Sequence, residues 1–343
     1  MRIENDTPFA AITFDHWDAD AREFSVLIIK AMLTRRETGW SSDGAESALC
    51  FEDRYDGDPA RSPLLSEQDI APEKPATDLV LQATAYAPGG AARTDWPVRI
   101  AIPGCLDYGF HVRGPTLWQK RWLGRWHQGA PHPVSEIRLD YRLAFGGGIA
   151  ASGGSESVHE ANPAGMGMTS PEKMREGEPF PAPQIGTLAE FQAHDVMTPM
   201  AVHGFGPIAK AWSPRRRLAG TYDQNWQRDR HPRLPLDFNP RFWNFAPQPL
   251  QITPYLKGNE EVHLHNLHPT RQIDRLRLPA IRPIARLAPR GEAVELALDT
   301  VALDLRGPDD AQQLTLIWRG RFLASDLHQV LRIEMMNMDQ LSG

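Results

Sequence analysis

The sequence predicts a mainly β protein: antiparallel sheets in a sandwich-like arrangement, a long irregular connection rich in aromatic residues and proline, and a few short helices. Three observations support this. The 343 residues include 30 prolines and 27 glycines, which favours many turns and few long helices. Short apolar segments recur between turn signals towards both ends of the chain. Between them, Gly204 to Pro247 is dense in aromatic residues, arginine and proline but has no helical or strand periodicity.

Two strands are predicted near the start of the chain, from Pro8 to Phe14 and from Phe24 to Thr34. The second is almost continuously apolar, so we expect both of its faces to be covered. Ser41 to Pro75 has little periodicity and many aspartates, prolines and serines, which predicts a long structured loop. Loops of that length tend to be functional or to cover another part of the molecule.

Four more strands are predicted before residue 146. Asp78 to Tyr86, Trp96 to Ile102 and Leu106 to Val112 are separated by proline and glycine turn signals, which indicates an antiparallel meander. Val134 to Phe145 alternates apolar and charged residues over most of its length, which predicts the clearest strand of all. One face of this strand should be core and the other charged.

The connector from Gly146 to Met200 contains only short helix signals. Ser170 followed by Pro171 has the form of an N-cap with proline at the first helical position. Thr187 and Glu190 have the spacing of a capping box. We expect one or two helical turns at each place.

The stretch from Gly204 to Pro247 is predicted to be a structural belt. Thr221 and Gln224 have capping-box spacing, which predicts a short helix from Tyr222 to Arg230 with Tyr222 and Trp226 one turn apart. The prolines that follow favour extended backbone. The residues expected to form this belt or to contact a partner are Trp212, Arg215, Arg216, Tyr222, Trp226, Phe242 and Trp243.

The three consecutive arginines, Arg215 to Arg217, also allow a nucleic-acid interpretation, because neighbouring aromatic side chains could stack on bases. Asp223 and Asp229 lie among these residues, however, and the chain has a net charge of -6. Cation–π contacts and arginine–carboxylate packing within one large loop are therefore favoured. We expect no nucleic-acid partner.

Strand patterns return after the belt. They cover Glu261 to Leu267, Ala293 to Leu305, Gln313 to Phe322 and Leu327 to Met336, with turns predicted at Gly307-Pro308 and at Gly320. The predicted organisation is an N-terminal antiparallel β region (1–145), an irregular connector with the aromatic belt (146–260) and a C-terminal β region (261–343). We expect the three to form one integrated globular unit.

Composition indicates where the protein works. No apolar run reaches the about 18 residues needed for a membrane span, and the N-terminus has acidic residues where a secretory signal is basic. We therefore expect a cytoplasmic protein without membrane contact. Cys50 and Cys105 are the two cysteines, too few for a disulfide framework, and are predicted to be buried reduced thiols.

Candidate chemistry is sparse. His263 and His265 would lie on one strand face with His268 nearby, a spacing that can hold zinc, but no further ligand can be placed beside them. The glycine-rich turns lack the lysine of a phosphate-binding loop, and no nucleophile elbow is present. We expect no metal, no cofactor and no catalytic residues. The alternative is an enzyme, a hydrolase or carbohydrate-active protein, that uses His203, Asp223 and Asp229 or the histidines of the predicted strand.

A set of motifs spread along most of the chain resembles one bacterial family, the domain of unknown function 2169 proteins. The motifs are Ser66 to Pro72, Lys74 to Asp78, Ala85 to Gly90, Tyr141 to Gly147, Asn162 to Gly167, Gly204 to Pro247, Asp299 to Val301 and Trp318 to Gly320. The resemblance implies an association with bacterial type VI secretion. Similar proteins look like adaptors or chaperones that help load a toxic effector onto the valine-glycine repeat spike or its tip protein.

The resemblance thus implies a non-enzymatic adaptor whose partners are a cognate secreted effector and the spike or tip protein. It brings no agreed catalytic residues that could be assigned to positions in this sequence. Besides an enzyme, a general protein-interaction module is the other alternative. An exposed apolar patch or sheet edge would favour an adaptor, and clustered carboxylates in a deep pocket would favour an enzyme.

Overall fold

A computed structural model describes residues 2–18, 20–42, 47–121, 124–150, 156–193, 195–288, 291–323 and 330–335. Strands dominate these residues and most strand pairs are antiparallel, so the mainly β prediction is confirmed. The α-helices are all short: α1 Pro171–Glu176, α2 Leu188–Gln192, α3 Arg215–Leu218 and α4 Gln224–Asp229. Single 3-10 turns occur at Pro88–Gly90, Tyr141–Leu143, Pro240–Trp243, Gln248–Leu250 and Asp309–Ala311.

The largest sheet combines strands from both ends of the chain. Its order is β2 Ala10–Trp17, β3 Glu23–Arg36, β26 Gln313–Leu323, β25 Ala297–Asp304, β7 Thr77–Gln82 and β20 Gln251–Ile252, with β4 Gly39–Ser41 beside β3. β3 pairs antiparallel with β26 over eleven residues, from Phe24 to Thr34. Its side chains are buried on both faces, as its continuous apolar sequence predicts.

A five-stranded sheet packs against the large one. Its order is β19 Ile185–Gly186, β10 Leu106–Arg113, β9 Asp95–Ile102, β21 Glu261–His265 and β22 Ile273–Arg277. One apolar core extends from Leu27 and Ile29 of β3 to Val98 and Ile100 of β9. Burial of each such side chain contributes about 1.5–3 kcal/mol to stability, so this core holds the two sheets together.

The remaining strands form small sheets. They are β1 Arg2–Asn5, β27 Val330–Met335, β23 Pro283–Ala288 and β24 Glu292–Val294 in one sheet; β12 Trp126–Gln128, β11 Leu117–Lys120 and β18 Phe180–Pro181 in another; and the pairs β8 Thr84–Tyr86 with β13 Glu136–Arg138, β14 Phe145–Gly146 with β17 Met166–Gly167, β15 Gly148–Ala150 with β16 Glu156–Val158, and β5 Arg54–Tyr55 with β6 Leu64–Ser66. Residues 330–335 of the predicted strand from Leu327 to Met336 form β27, and its other positions lie outside the described residues.

The predicted meander is wrong in its first strand. Asp78 to Tyr86 divides between β7, which pairs in parallel with β25, and β8, which pairs with β13. β9 and β10 do form the predicted hairpin. Almost all of β7 is buried, as expected for an inner strand of a covered sheet, but its local pattern does not specify a partner more than 200 residues away.

The continuous strand predicted from Val134 to Phe145 is also wrong, because the turn Tyr141–Leu143 separates β13, at Glu136–Arg138, from β14, which begins at Phe145. The side chain of Asp140 accepts a hydrogen bond from the backbone N–H of Arg142 and caps the turn Tyr141–Leu143. This side chain competes with the strand ladder for backbone donors. Tyr141 is buried, and its hydroxyl donates to the carbonyl of Gly206 at 2.8 Å.

The turn predicted at Gly320 is wrong, because Gly320 lies inside β26. A Cβ atom at this position would stand 2.6 Å from Cγ1 of Val294 and 2.7 Å from the carbonyl oxygen of Glu295. The link from β24 to β25 therefore crosses β26 at a distance that only glycine allows.

Both helices predicted in the connector are present. Ser170 caps α1, and Thr187 with Glu190 forms the capping box of α2. The prediction of two buried thiols is wrong, because Cys50 is half-buried and Cys105, in the turn between β9 and β10, is exposed. In the described parts of the chain, no helix is long and apolar enough to cross a membrane.

Candidate functional site

Residues 216–241, which we call the arm, leave the core after Arg215 and return to it at Phe242. From Thr221 to Arg233 every side chain is exposed except those of Trp226 and Arg230, which are half-buried. The segments on either side are buried, with Trp212 only 1% exposed and Asn244 fully enclosed. The stretch that the sequence presents as one belt is thus an exposed arm on a buried base.

Arg215 closes the base of the arm. Its Nε and Nη2 donate to the carbonyl oxygen of Phe242 at 3.0 and 2.8 Å, which ties the two ends of the arm together. Its Nη1 donates to the carbonyl of Ile208 at 2.6 Å. The same guanidinium binds both carboxylate oxygens of Glu67, at 2.5 and 3.0 Å, in the long loop between β4 and β7. A planar guanidinium with five N–H donors suits this geometry, which an ammonium group cannot reproduce.

Aromatic rings pack around the base. Trp212 meets Tyr141 edge to face, with ring centroids 5.7 Å apart. Phe242 and Trp243 contact each other at 5.4 Å, and Phe238 contacts both. These contacts hold the chain where the arm rejoins the core.

A second pair of hydrogen bonds, further from the core, joins the outgoing and returning segments of chain in the arm, which we call its limbs. The backbone N–H and the hydroxyl of Thr221 donate to the two carboxylate oxygens of Asp237 at 2.9 and 2.7 Å. These bonds lower the pKa of Asp237, since both favour its ionised form. The N–H of Asn239 also donates to the carbonyl of Leu218 at 3.0 Å. The arm is therefore a closed loop with defined limbs.

The tip of the arm has its own small aromatic cluster. Trp226 lies between Tyr222, with ring centroids 4.6 Å apart, and His231, at 5.3 Å. Its indole N–H donates to the carbonyl of Arg233 at 2.8 Å. The predicted helix is present as α4, but Asp223 caps it, not Thr221, because the Thr221 hydroxyl is bound to Asp237.

The structure thus separates the seven residues predicted for the belt. Trp212 and Arg215 are buried at the base, Phe242 and Trp243 are half-buried beside them, and Tyr222 and Trp226 form the tip. Arg216 is exposed and lies 3.7 Å from Glu160. Arg217 also binds Glu160, at 2.9 Å. The three arginines thus contact carboxylates, but Glu67 and Glu160 lie outside the stretch from Gly204 to Pro247, where the sequence predicts the partners.

The sequence analysis did not predict a layer of buried ion pairs. This layer lies on one face of the largest sheet, the face covered by the long loop between β4 and β7. Its pairs are Lys30 with Asp69 at 2.8 Å, Lys74 with Asp78 at 2.9 Å, and Arg319 with Asp299 at 2.5 Å. A signal was available, because Lys30 interrupts an apolar strand and the other five belong to motifs that carry the family resemblance.

This layer also holds the segment that follows the arm. The carboxylate of Asp78 accepts hydrogen bonds from the Asn244 side chain and from the backbone N–H groups of Phe245 and Ala246, at 3.0 to 3.1 Å. The ammonium of Lys74 lies 3.8 Å from the ring centre of Phe245. Two separate ionic contacts, at Arg215 and at Asp78, therefore fix the base of the arm.

A cavity of about 540 Å³ lies between the layer and the long loop. Its size falls in the range of small-molecule sites. The buried charged side chains that line it, Lys30, Glu67, Asp69, Lys74 and Arg319, are each held in an ion pair. Lys30 pairs with Asp69, while the partners of the other three are Arg215, Asp78 and Asp299, so these charges hold the long loop and its surroundings in place.

A larger open groove of about 970 Å³ begins at the base of the arm. Pro240 and Tyr255 form one side, and the link between β24 and β25 forms another. Lys257, Arg282 and Arg321 are among the charged residues that line it. The groove is therefore continuous with the arm.

The residues of the two catalytic alternatives are engaged in other contacts. His263 binds Glu261 at 2.5 Å, and His268 binds Asp309 at 2.9 Å. No group of three potential metal ligands occurs among the residues that the structure describes. His203 lies 3.2 Å from Glu190 of α2, while Asp223 and Asp229 are both on the arm.

One family of known proteins matches this chain. Its description is "Uncharacterized protein conserved in bacteria (DUF2169)", and the match covers residues 20–319. No curated protein and no solved structure matches the chain.

Proposed function

The chain belongs to the bacterial DUF2169 family, and from this premise we propose that it is a type VI secretion adaptor. In this proposal it binds a cognate effector in the cytoplasm and assists its loading onto the spike or its tip protein. It acts by binding and carries out no catalysis.

The observation that carries the proposal is the exposed arm on its buried ionic base. A binding element works best when a rigid frame holds it in one geometry, because less conformational entropy is lost on association. Arg215 and the Thr221–Asp237 bonds supply that frame, while Tyr222 and Leu236 remain 52% and 81% exposed. Exposed apolar side chains on a braced loop are typical of a recognition surface.

The charges of the covered face support a non-catalytic role. A catalytic acid or base needs access to a substrate proton, whereas each buried acid of the layer is bound to a cation of its own. Ion pairs of this kind fix an irregular loop against a sheet. This arrangement favours a scaffold over an active site.

The test is co-expression with the effector encoded beside this gene, followed by affinity capture and size-exclusion chromatography. We expect a stable complex, and we expect secretion of that effector to fail in a deletion strain. A variant with Tyr222→Ala and Leu236→Ala should capture less effector than wild type. Leu323→Ala is the matched control, because Leu323 is 76% exposed but lies at the end of β26. Normal effector secretion in the deletion strain would contradict the proposal.

A further inference from the structure

We infer that the arm recognises an acidic polypeptide segment with apolar anchor residues, supplied by the partner protein. The inference rests on the proposed function, since it names the class of partner that the adaptor takes. It follows from the charge of the arm, from its exposed apolar side chains and from the groove at its base.

The arm carries the opposite charge from the rest of the chain. Residues 216–241 contain six arginines and three aspartates, a net charge of +3, whereas the whole chain has -6 and the remaining residues therefore -9. The positive charge of the arm attracts an acidic partner, whereas the negative charge of the remaining residues disfavours its binding at other parts of the surface. Electrostatics thus selects both the partner and the place where it docks.

The acids of the arm serve its own structure. Asp223 caps α4, Asp237 binds Thr221, and Asp229 pairs with Arg228. The guanidinium of Arg233 has no hydrogen bond or ion pair with any described residue, and that of Arg241 has one hydrogen bond, to Gln251. Arginine presents a planar fork that binds carboxylates through two parallel hydrogen bonds. These two arginines are therefore available for a partner's carboxylates.

The apolar anchor site lies between the limbs. Because Thr221 binds Asp237, the next residue on each limb, Tyr222 and Leu236, stands at the same level of the arm. Both are exposed, and the ring of Tyr222 contacts that of Trp226 in an edge-to-face arrangement. Exposed apolar side chains on an arm with six arginines fit a segment that alternates carboxylates with aliphatic or aromatic residues.

A polypeptide fits this surface better than a nucleic acid. Trp226 is half-buried and makes edge-to-face contacts with Tyr222 and His231, so its indole is already engaged within the arm and is a poor platform for base stacking. Leu236 is 81% exposed and offers an aliphatic contact, which suits the apolar side chains of a polypeptide. The groove beside Pro240, with Lys257 and Arg282 in its lining, gives an extended chain a path from the arm onto the body.

The test uses labelled synthetic peptides that share the same phenylalanine and leucine positions and carry glutamate, lysine or glutamine at all other positions. Fluorescence anisotropy should show saturable binding of the glutamate peptide alone. Arg233→Glu combined with Arg241→Glu should weaken it about tenfold or more. The same reversal at the exposed Arg125 and Arg286, outside the arm, should change it less than about twofold. Leu236→Ala should also weaken binding, and Leu323→Ala should not.

Equal affinity for the glutamate and glutamine peptides, no binding of the glutamate peptide, or equal effects of the two double reversals would overturn the inference. Tighter binding of a single-stranded DNA oligonucleotide than of the glutamate peptide would overturn it in favour of nucleic acid. Because the peptide assay needs no effector, its failure is distinct from that of the proposed function. Effector capture that survives the arm reversal would sink the inference and leave the adaptor role standing.

Discussion

The sharpest prediction concerns Arg215→Lys. Lysine keeps a positive charge near Glu67 but has three donors on one nitrogen in place of the guanidinium fork. Arg215 makes five hydrogen bonds, two of them to Phe242 and one to Ile208, so lysine must lose at least two. Hydrogen bonds to charged groups contribute about 1.5–3 kcal/mol each, which predicts a loss of about 3 kcal/mol or more in the free energy of unfolding.

Two further variants distinguish the energetic contribution of the Arg215–Glu67 ion pair from that of the hydrogen bonds to the carbonyl groups of Phe242 and Ile208. Arg215→Ala leaves the buried carboxylate of Glu67 with Lys210 at 3.3 Å as its remaining cation, which should cost about 3–5 kcal/mol. Replacing both partners, with Glu67→Leu and Arg215→Met, removes the buried charges but leaves the carbonyls of Phe242 and Ile208 without these donors. Each such buried acceptor costs about 1–3 kcal/mol, so the double variant should regain part of the loss and remain less stable than wild type.

Urea unfolding followed by tryptophan fluorescence measures the global effect, since Trp212 is buried beside the base. Limited trypsin digestion measures the local one, because Arg230 and Arg233 lie on the arm. Cleavage follows the population of the open form, so a base weakened by about 1.4 kcal/mol should raise the cleavage rate about tenfold. Arg217→Lys, at an exposed pair, is the control and should change stability by about 1 kcal/mol or less. Equal unfolding midpoints and equal cleavage rates for the two lysine variants would refute the reasoning.

Three other variants test contacts elsewhere in the fold. Asp78→Asn should lower the free energy of unfolding by about 3 kcal/mol or more in urea titration, because the buried ammonium of Lys74 loses its partner; a loss below about 1 kcal/mol would contradict the ion-pair account. Gly320→Ala should cost about 1–3 kcal/mol by the same assay, since the new Cβ meets Val294 at 2.6 Å, and unchanged stability would contradict the close crossing. Burial raises the pKa of Glu190, but hydrogen bonds from neighbouring backbone N–H groups outweigh it and hold the pKa below its ordinary value of 4.5. Because the pKa of Glu190 is lower in the folded than in the unfolded protein, its ionised carboxylate stabilises the fold above the unfolded pKa, and this contribution is lost as pH falls through the folded pKa. Glu190→Gln should therefore make the free energy of unfolding depend less on pH below about pH 4.5. An unchanged pH profile of stability would contradict this account.

Local sequence predicted the elements well where local physics decides them. β3 follows from an almost continuous apolar run, and the helices at Ser170 and Thr187 follow from their caps. Local sequence failed where a side chain competes with the backbone ladder, as Asp140 does inside the predicted strand. A side-chain contact also explains the cap of α4. The hydroxyl of Thr221, the predicted capping residue, is bound to Asp237, and Asp223 caps the helix instead.

Partnerships distant in sequence could not be predicted. Arg215 and Glu67 are separated by 148 positions, and no periodicity around either one indicates the other. The belt predicted for Gly204 to Pro247 groups its aromatic residues together, whereas the structure places Trp212 in the core and Tyr222 at the exposed tip. The sequence did predict that the backbone of this stretch is irregular, as the structure shows, and such backbone is held by contacts with other parts of the chain.

Several arginines of the chain serve that irregular backbone. Strands and helices satisfy their own carbonyl groups, but a long loop pressed against a sheet buries carbonyls that need donors from elsewhere. Arg319 donates to the carbonyls of Asp69 and Ala71, and Arg142 donates to that of Asp56, as Arg215 does to those at the base of the arm. The chain has 31 arginines against six lysines, and a guanidinium can bind a carboxylate and a carbonyl at once. Arginines at the base of these segments therefore let this protein hold large irregular segments in place without secondary structure, which leaves the arm exposed on a fixed base.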